Sequence, residues 1–296
     1  MNACKSSAAR DDEEKTAPST VCRPSSAARS ALLFASPHSG RIYPRRLLEA
    51  ARIAPPTIRR SEDAYVDCLI AGAPDFGITT IAARLARAYL DVNRGPWELD
   101  PRMFEDPLPA QARTRTARVV AGLGVIPRTV GDDMDIYARK LTFAEAQARI
   151  AAVHLPYHAA LTALMADIRR EHGLVLLIDW HSMPASAARH AFGGGGCDMV
   201  LGDRFGASCS PSISRSIERH LQDLGYRVAR NAPYAGGYTT EHYGRPEQRV
   251  HALQIEINRA LYLDEENLTP TTGFATLKGQ LGRLFARLSG TDWALV

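Results

Sequence analysis

The sequence predicts an α/β fold, a largely parallel sheet covered by helices, and three observations carry that reading. Residues 174–178 (Leu-Val-Leu-Leu-Ile) form an unbroken branched apolar run after Gly173, the pattern of a strand buried on both faces. Strand-like runs alternate with segments of helical period, and no internal repeat interrupts them. With 296 residues, 45% of them hydrophobic and 7% aromatic, the chain can bury one sizeable core. One domain of about 250 residues is expected.

The elements follow in order. Residues 1–30 carry Asp11-Asp12-Glu13-Glu14 and many Ser and Ala without a continuous apolar stretch. They read as a disordered tail, or a misassigned start, and not as a secretion signal; residues 31–296 read as the single domain. Residues 31–35 (Ala-Leu-Leu-Phe-Ala) form a strand that runs into Ser36-Pro37-His38-Ser39-Gly40. A short helix is expected over 59–70, opening near Ser61, and residues 81–90 have strong helix propensity.

The longest helical signal covers 142–171. It starts with the capping box Thr142-Phe143-Ala144-Glu145, in which hydroxyl and carboxylate satisfy each other's orphan amides. Phe143, Ala146, Ile150, Val153, Tyr157, Leu161, Leu164 and Ile168 recur every three or four residues, and Pro156 should kink or split the helix. The run Gly193-Gly194-Gly195-Gly196 is a loop; a phosphate-binding role lacks the Lys-Ser/Thr that should follow. A second helix fits 211–224, with Ser210 as N-cap and Gly225 as stop, and a strand follows at 226–229. Along 250–257, Val250, Ala252, Gln254 and Glu256 face one way, and Leu253, Ile255 and Ile257 the other.

Several classes are excluded by composition. The formal charge of +4 is small and the basic residues are interspersed with acidic ones, so no nucleic-acid partner is indicated. No apolar run approaches the roughly 18 residues that cross a bilayer. Five cysteines, odd in number and without C-x-x-C spacing, indicate neither a disulfide framework nor a structural zinc site, which favours a reducing cytoplasm.

Chemistry gathers at strand ends, where α/β sheets place their ligands. His181 closes Ile178-Asp179-Trp180-His181, His38 follows the strand at 31–35, and Glu256 lies near the end of the strand at 250–257. Each histidine alone reads as an ordinary loop residue. Together they read as ligands, because each follows a buried strand, each precedes Ser, and Pro37, Gly40 and Pro184 fix the turns around them. Zinc in catalytic sites takes three such imidazole or carboxylate ligands and keeps a fourth position open. Glu256 is either a sheet-edge acid paired with Arg259 or a general base. Arg94 is either a bidentate reader of a substrate carboxylate or the partner of Asp91.

These residues stand in the order of a known family. Pro37-His38-Ser39-Gly40, Asp91-Val92-Asn93-Arg94, Ile178-Asp179-Trp180-His181-Ser182-Met183, Gly236 to Gly244 and Leu253-Gln254-Ile255-Glu256 resemble the N-formylglutamate amidohydrolase family over residues 31–265. The resemblance implies a mixed, largely parallel sheet flanked by helices, similar to the zinc carboxypeptidases, and a strand leading into Asp91. It implies Zn2+, or another divalent cation, on His38, His181 and a third ligand. The carboxypeptidase pattern would put that ligand at position 41, which is Arg41 here. Asp63 matches the family's acid and is chosen over Glu62 and Asp67.

The resemblance further implies Glu256 as the base that takes a proton from water and returns it to the leaving nitrogen, with Arg87 stabilising the oxyanion. Asn93 and Arg94 would hold the substrate carboxylate, and Gly236 and Gly237 would let backbone approach the substrate or simply form a turn. The implied activity is metal-dependent cleavage of the N-formyl or another N-acyl amide of an acidic amino acid, a small-molecule partner. The alternatives are a deacylase or peptidase for another N-acyl amino acid, and a catalytically silent relative that binds a small carboxylate.

Overall fold

The computed structural model describes residues 17–25, 29–131, 134–189 and 195–296. Residues 1–16 and 26–28 of the expected tail, and Gly193 and Gly194 of the expected loop, lie outside the described residues. Strands are β1 (Ser19–Cys22), β2 (Leu32–Ser36), β3 (Thr79–Ala83), β4 (Thr129–Val130), β5 (Met134–Asp135), β6 (Val175–Met183), β7 (Met199–Gly202), β8 (Val228–Arg230), β9 (Val250–Asn258), β10 (Leu263–Asp264) and β11 (Thr269–Pro270). The described residues form two compact units, one within 17–20, 37–62 and 82–161 and the other within 21–36, 63–81 and 162–296.

The second unit is built on a seven-stranded mixed sheet of order β1-β3-β2-β6-β9-β7-β8. β2 pairs parallel with β6 and β6 parallel with β9, so their carboxyl ends lie at one edge; β7 runs antiparallel to β9 and parallel to β8. The expected α/β class, with a largely parallel sheet and helices, is what the chain adopts. All nine residues of β6 are buried, as a strand covered on both faces requires.

Alternation divides β6 and β9 into two chemistries. Ile178, Trp180, Leu253, Ile255 and Ile257 point into the main apolar core, with residues of the helices Val66–Ile70, Pro211–Asp223 and Gly273–Ser289. Asp179, His181, Gln254 and Glu256 occupy the intervening positions. Three rings anchor that core edge to face: Phe34 lies 5.4 Å from Trp180 and 5.1 Å from Phe285.

In the long helical stretch, seven of the eight periodic positions from Phe143 to Ile168 are buried; only Phe143 is half-exposed. Thr142 Oγ1 accepts from Glu145 N at 3.2 Å and Glu145 Oε2 accepts from Thr142 N at 2.8 Å, the full capping box. Helix Phe143–Arg149 continues through a π-helical turn, Ile150–His154, into helix Leu155–His172. The wider turn falls just before Pro156 and makes room for its ring, so the helical run continues past the proline.

One helical expectation is corrected, and one conflict between helix propensity and the family likeness is resolved toward the likeness. Residues 59–70 are a 3-10 turn, Arg59–Ser61, and a short helix, Val66–Ile70, separated by extended Glu62 and left-handed Tyr65 at φ 63°. Glu62 and Asp63 are acids buried to 1% and 2% exposure, and reaching their partners takes the backbone out of the helix. Residues 81–90 end β3 and then turn, with no helix. Ile42 N donates to Arg84 O and Ala86 N donates to Ile42 O, so an extended neighbour satisfies the backbone that a helix would otherwise satisfy itself. This agrees with the strand implied by the family resemblance, although the strand stops at Ala83.

Among the described residues, no helix is long and apolar enough to cross a membrane. Cys22, Cys197 and Cys209 carry free thiols. Phe34→Ala removes the ring between Trp180 and Phe285 and should cost about 3–5 kcal/mol. Urea denaturation of parent and variant, compared at equal slope, checks this figure.

Candidate metal centre

His38 is the second residue after β2, and its position follows from the chain. Gly40 lets the backbone pass close to the next segment: a Cβ there would sit 2.0 Å from the carbonyl oxygen of Leu85. His38 Nε2 lies 2.7 Å from Asp91 Oδ1, with both residues buried. A neutral imidazole that donates from Nε2 keeps its lone pair on Nδ1.

His181 has the same support. Nε2 lies 3.0 Å from Asp179 Oδ2 and Nδ1 lies 2.9 Å from Asp63 Oδ2. A carboxylate behind each imidazole is how metal-ligating histidines are held and made more basic. Ligand atoms of His38, Asp63 and His181 all lie within 4.8 Å of one another. A tetrahedral cation with bonds of about 2.0–2.1 Å puts its donor atoms about 3.3 Å apart, so this set fits a divalent ion, and two imidazoles with one carboxylate leave a position open.

Glu256 is brought to His181 by register. The two are direct partners in the parallel β6–β9 ladder, and Asp179 is likewise the partner of Gln254. Gln254 Nε2 donates to Glu256 Oε1 at 2.8 Å while its Oε1 accepts from Gly237 N at 2.7 Å. Gly236 has φ 128°, and a Cβ on it would sit 2.4 Å from Thr240 Oγ1, so only glycine fits there. The glycine pair therefore shapes a turn whose amide holds the neighbour of Glu256.

Asp91 is the hub of a second cluster. Arg87 Nη2 donates to its Oδ2 at 2.7 Å, Arg94 Nε lies 3.8 Å from the same oxygen, and Asn93 N donates to Oδ1 at 2.8 Å. Burial opposes the charged form of Asp91, but Arg87, His38 and Arg94 outweigh it and hold the carboxyl well below its ordinary range. Arg94 gives Nε to Leu123 O at 3.0 Å and Nη1 to Asn93 O at 2.8 Å. A two-donor grip on a substrate would exchange these carbonyl partners. His154 and His158 face the same segment: their Nε2 atoms lie 2.9 Å from Arg94 O and 2.8 Å from Val92 O.

Among the alternatives to Asp63, Glu62 accepts from the Tyr43 hydroxyl at 2.5 Å and from Arg59 Nε at 3.0 Å, and Asp67 lies in the first turn of helix Val66–Ile70. Sequence reasoning had given no role to Asp91 or Asp179 as supports of the histidines, to Gln254 as the support of Glu256, or to Arg259 as the partner of Asp63. Two of these were legible: Asp179 stands two residues before His181 and Gln254 two before Glu256, each on the same strand face.

Fold and site define a mixed α/β protein with a carboxylate-backed His-Asp-His group and a buried glutamate paired in register with His181. The chain belongs to the N-formylglutamate amidohydrolase family, whose model matches residues 30–263. It is 34% identical over 245 residues to an N-formylglutamate deformylase of Pseudomonas aeruginosa, covering 80% of this chain and 84% of that one. A Pseudomonas putida N-formylglutamate deformylase is 29% identical over 80% of this chain and 83% of its own. The crystal structure of N-formylglutamate amidohydrolase from Ralstonia eutropha JMP134 superposes with TM-score 0.87 at 38% identity, covering 95% of this chain and all of that one (100%). A gene product of Agrobacterium tumefaciens shares the fold at TM-score 0.64 and 18% identity, over 94% of this chain and 97% of its own.

Burial alone would lower the His181 pKa, yet Asp179, then Asp63 and Glu256, overcome it and hold the ring well above its ordinary 6.5. In the chelated protein the His181 ring should therefore titrate above its ordinary value. A raised folded value adds stability that is fully present below the unfolded pKa of about 6.5 and is lost as pH rises through the folded one. Imidazole nitrogen NMR should show that raised titration, and Asp179→Asn should bring it down; no change in the variant would remove Asp179 as its cause.

Proposed function

We propose that this chain hydrolyses the N-formyl amide of N-formylglutamate with the help of a divalent cation, Zn2+ first among them, held by His38, Asp63 and His181. The observation that carries the reading is the alignment of Glu256 with His181 across the β6–β9 ladder, both buried on the same face. That alignment supports reading Glu256 as a proton acceptor beside a ligand set suited to zinc. When bound, the ion supplies Lewis acidity that brings the pKa of a water down to about 7.

The chain's own residues supply the rest. Glu256 accepts a proton from the attacking water and returns it to the departing nitrogen, with Gln254 fixing its orientation. Arg87, aligned by Asp91, stabilises the charge that develops on the carbonyl oxygen. Asn93 and Arg94 receive the amino-acid carboxylate, a planar guanidinium being the group that matches it. Gly236 and Gly237 keep the adjoining backbone close. The products are formate and glutamate.

Incubation of the full chain with N-formylglutamate should release formate, lose that activity on exhaustive chelation and regain it with Zn2+. Preferential turnover of a different N-acyl amino acid would favour the deacylase alternative. A chain that holds no divalent ion and cleaves no N-acyl amino acid would favour the silent carboxylate binder. Glu256→Gln should keep its ion and its substrate affinity yet turn over about 10²–10⁴-fold more slowly. Single-turnover kinetics on the loaded variant measures this, and a parental rate would reject Glu256 as the base.

A further inference from the structure

The turn that carries Asp63 is held from the far end of the sequence. Arg259 Nη2 donates to Asp63 Oδ1 at 3.1 Å across 196 positions of chain. The same guanidinium gives Nε to Ser182 Oγ at 3.1 Å and Nη2 to Ser182 O at 3.4 Å. Ser182 directly follows His181, and Arg259 directly follows β9, three residues beyond Glu256. Arg259, Asp63 and Ser182 are buried, at 7%, 2% and 4% exposure. A buried guanidinium persists only where its donors are matched, and here they are matched to the metal-ligand turn and to the strand end that carries His181.

The two oxygens of Asp63 are thus committed differently: Oδ1 accepts from Arg259, and Oδ2 lies 2.9 Å from His181 Nδ1. We propose that Arg259 is a positioning residue that holds Asp63 to single-oxygen ligation of the divalent ion, so that a coordination position stays open for water. A carboxylate with both oxygens released can ligate through both and fill that position. The planar fork is essential to this role, because it must reach Asp63 and Ser182 together; a lysine brings the same charge without the fork. The inference rests on the reading of Asp63 as a ligand and deepens it.

The test loads the full chain with Co2+ and measures both the dissociation constant, by chelator competition, and the visible absorption, which weakens as coordination number rises above four. Arg259→Lys should weaken the band and loosen the ion about 10–100-fold, the range typical for supports of metal ligands. Ser182→Ala removes one anchor of the fork and should shift both readouts the same way by less. A Lys variant with the parent's spectrum and affinity overturns the proposal. If that variant does not fold, as judged by circular dichroism, Ser182→Ala decides on the same criterion. Asp63→Ala with parental affinity overturns the ligand reading itself; loss of the ion in Asp63→Ala beside parental behaviour in Arg259→Lys overturns the role of Arg259 alone.

Discussion

Parallel pairing of β6 with β9 is the constraint on which the rest depends. It sets His181 opposite Glu256 and Asp179 opposite Gln254. A slip of one residue would turn every side chain of a strand to the other face, sending the carboxylates into the apolar core and Trp180 and Ile255 into the polar row. The aromatic packing of Phe34, Trp180 and Phe285 resists that slip, so the same alternation that stabilises the sheet also registers the chemistry.

Electrostatics explains why the row is built of pairs. Isolated charges are costly in a sheet interior, yet Asp179, Asp63 and Glu256 all act on His181 and raise its pKa against the effect of its burial. Asp91 shows the complementary arrangement, a buried acid held ionised by Arg87, His38 and Arg94. Each imidazole is therefore fixed by an acid behind it.

Failures of sequence reasoning fell where a long-range partner outweighed a local preference. Residues 59–70 have a helical pattern, but Glu62 must reach Tyr43 and Arg59, and Asp63 must reach Arg259 and His181, so the chain leaves the helix between them. Residues 81–90 have helix propensity, which the family likeness rightly overrode, because the backbone of Ile42 offers them extended partners. Pro156 reads locally as a kink or a split; a π-helical segment directly before it interrupts the α-helix while the helical run continues. Where no such partner competes, as in the Thr142 capping box or the Ser210 N-cap, local reading held.

By itself the sequence determined the buried core strands, the face on which Glu256 lies, and the placement of His38 just after a strand, because period-two alternation and abrupt polar stops are local signals; His181, read as following its strand, lies inside β6 two residues before its end. The acid that completes the His-Asp-His group came from family likeness, since no local pattern separates Asp63 from Glu62 or Asp67. Only the tertiary structure decided that Arg87 and Arg94 meet on Asp91, that Gln254 links Gly237 to Glu256, and that Arg259 reaches Asp63. Such pairings join residues far apart in the chain. They follow from which buried charge can be satisfied in three dimensions, a matter that one strand's pattern does not encode.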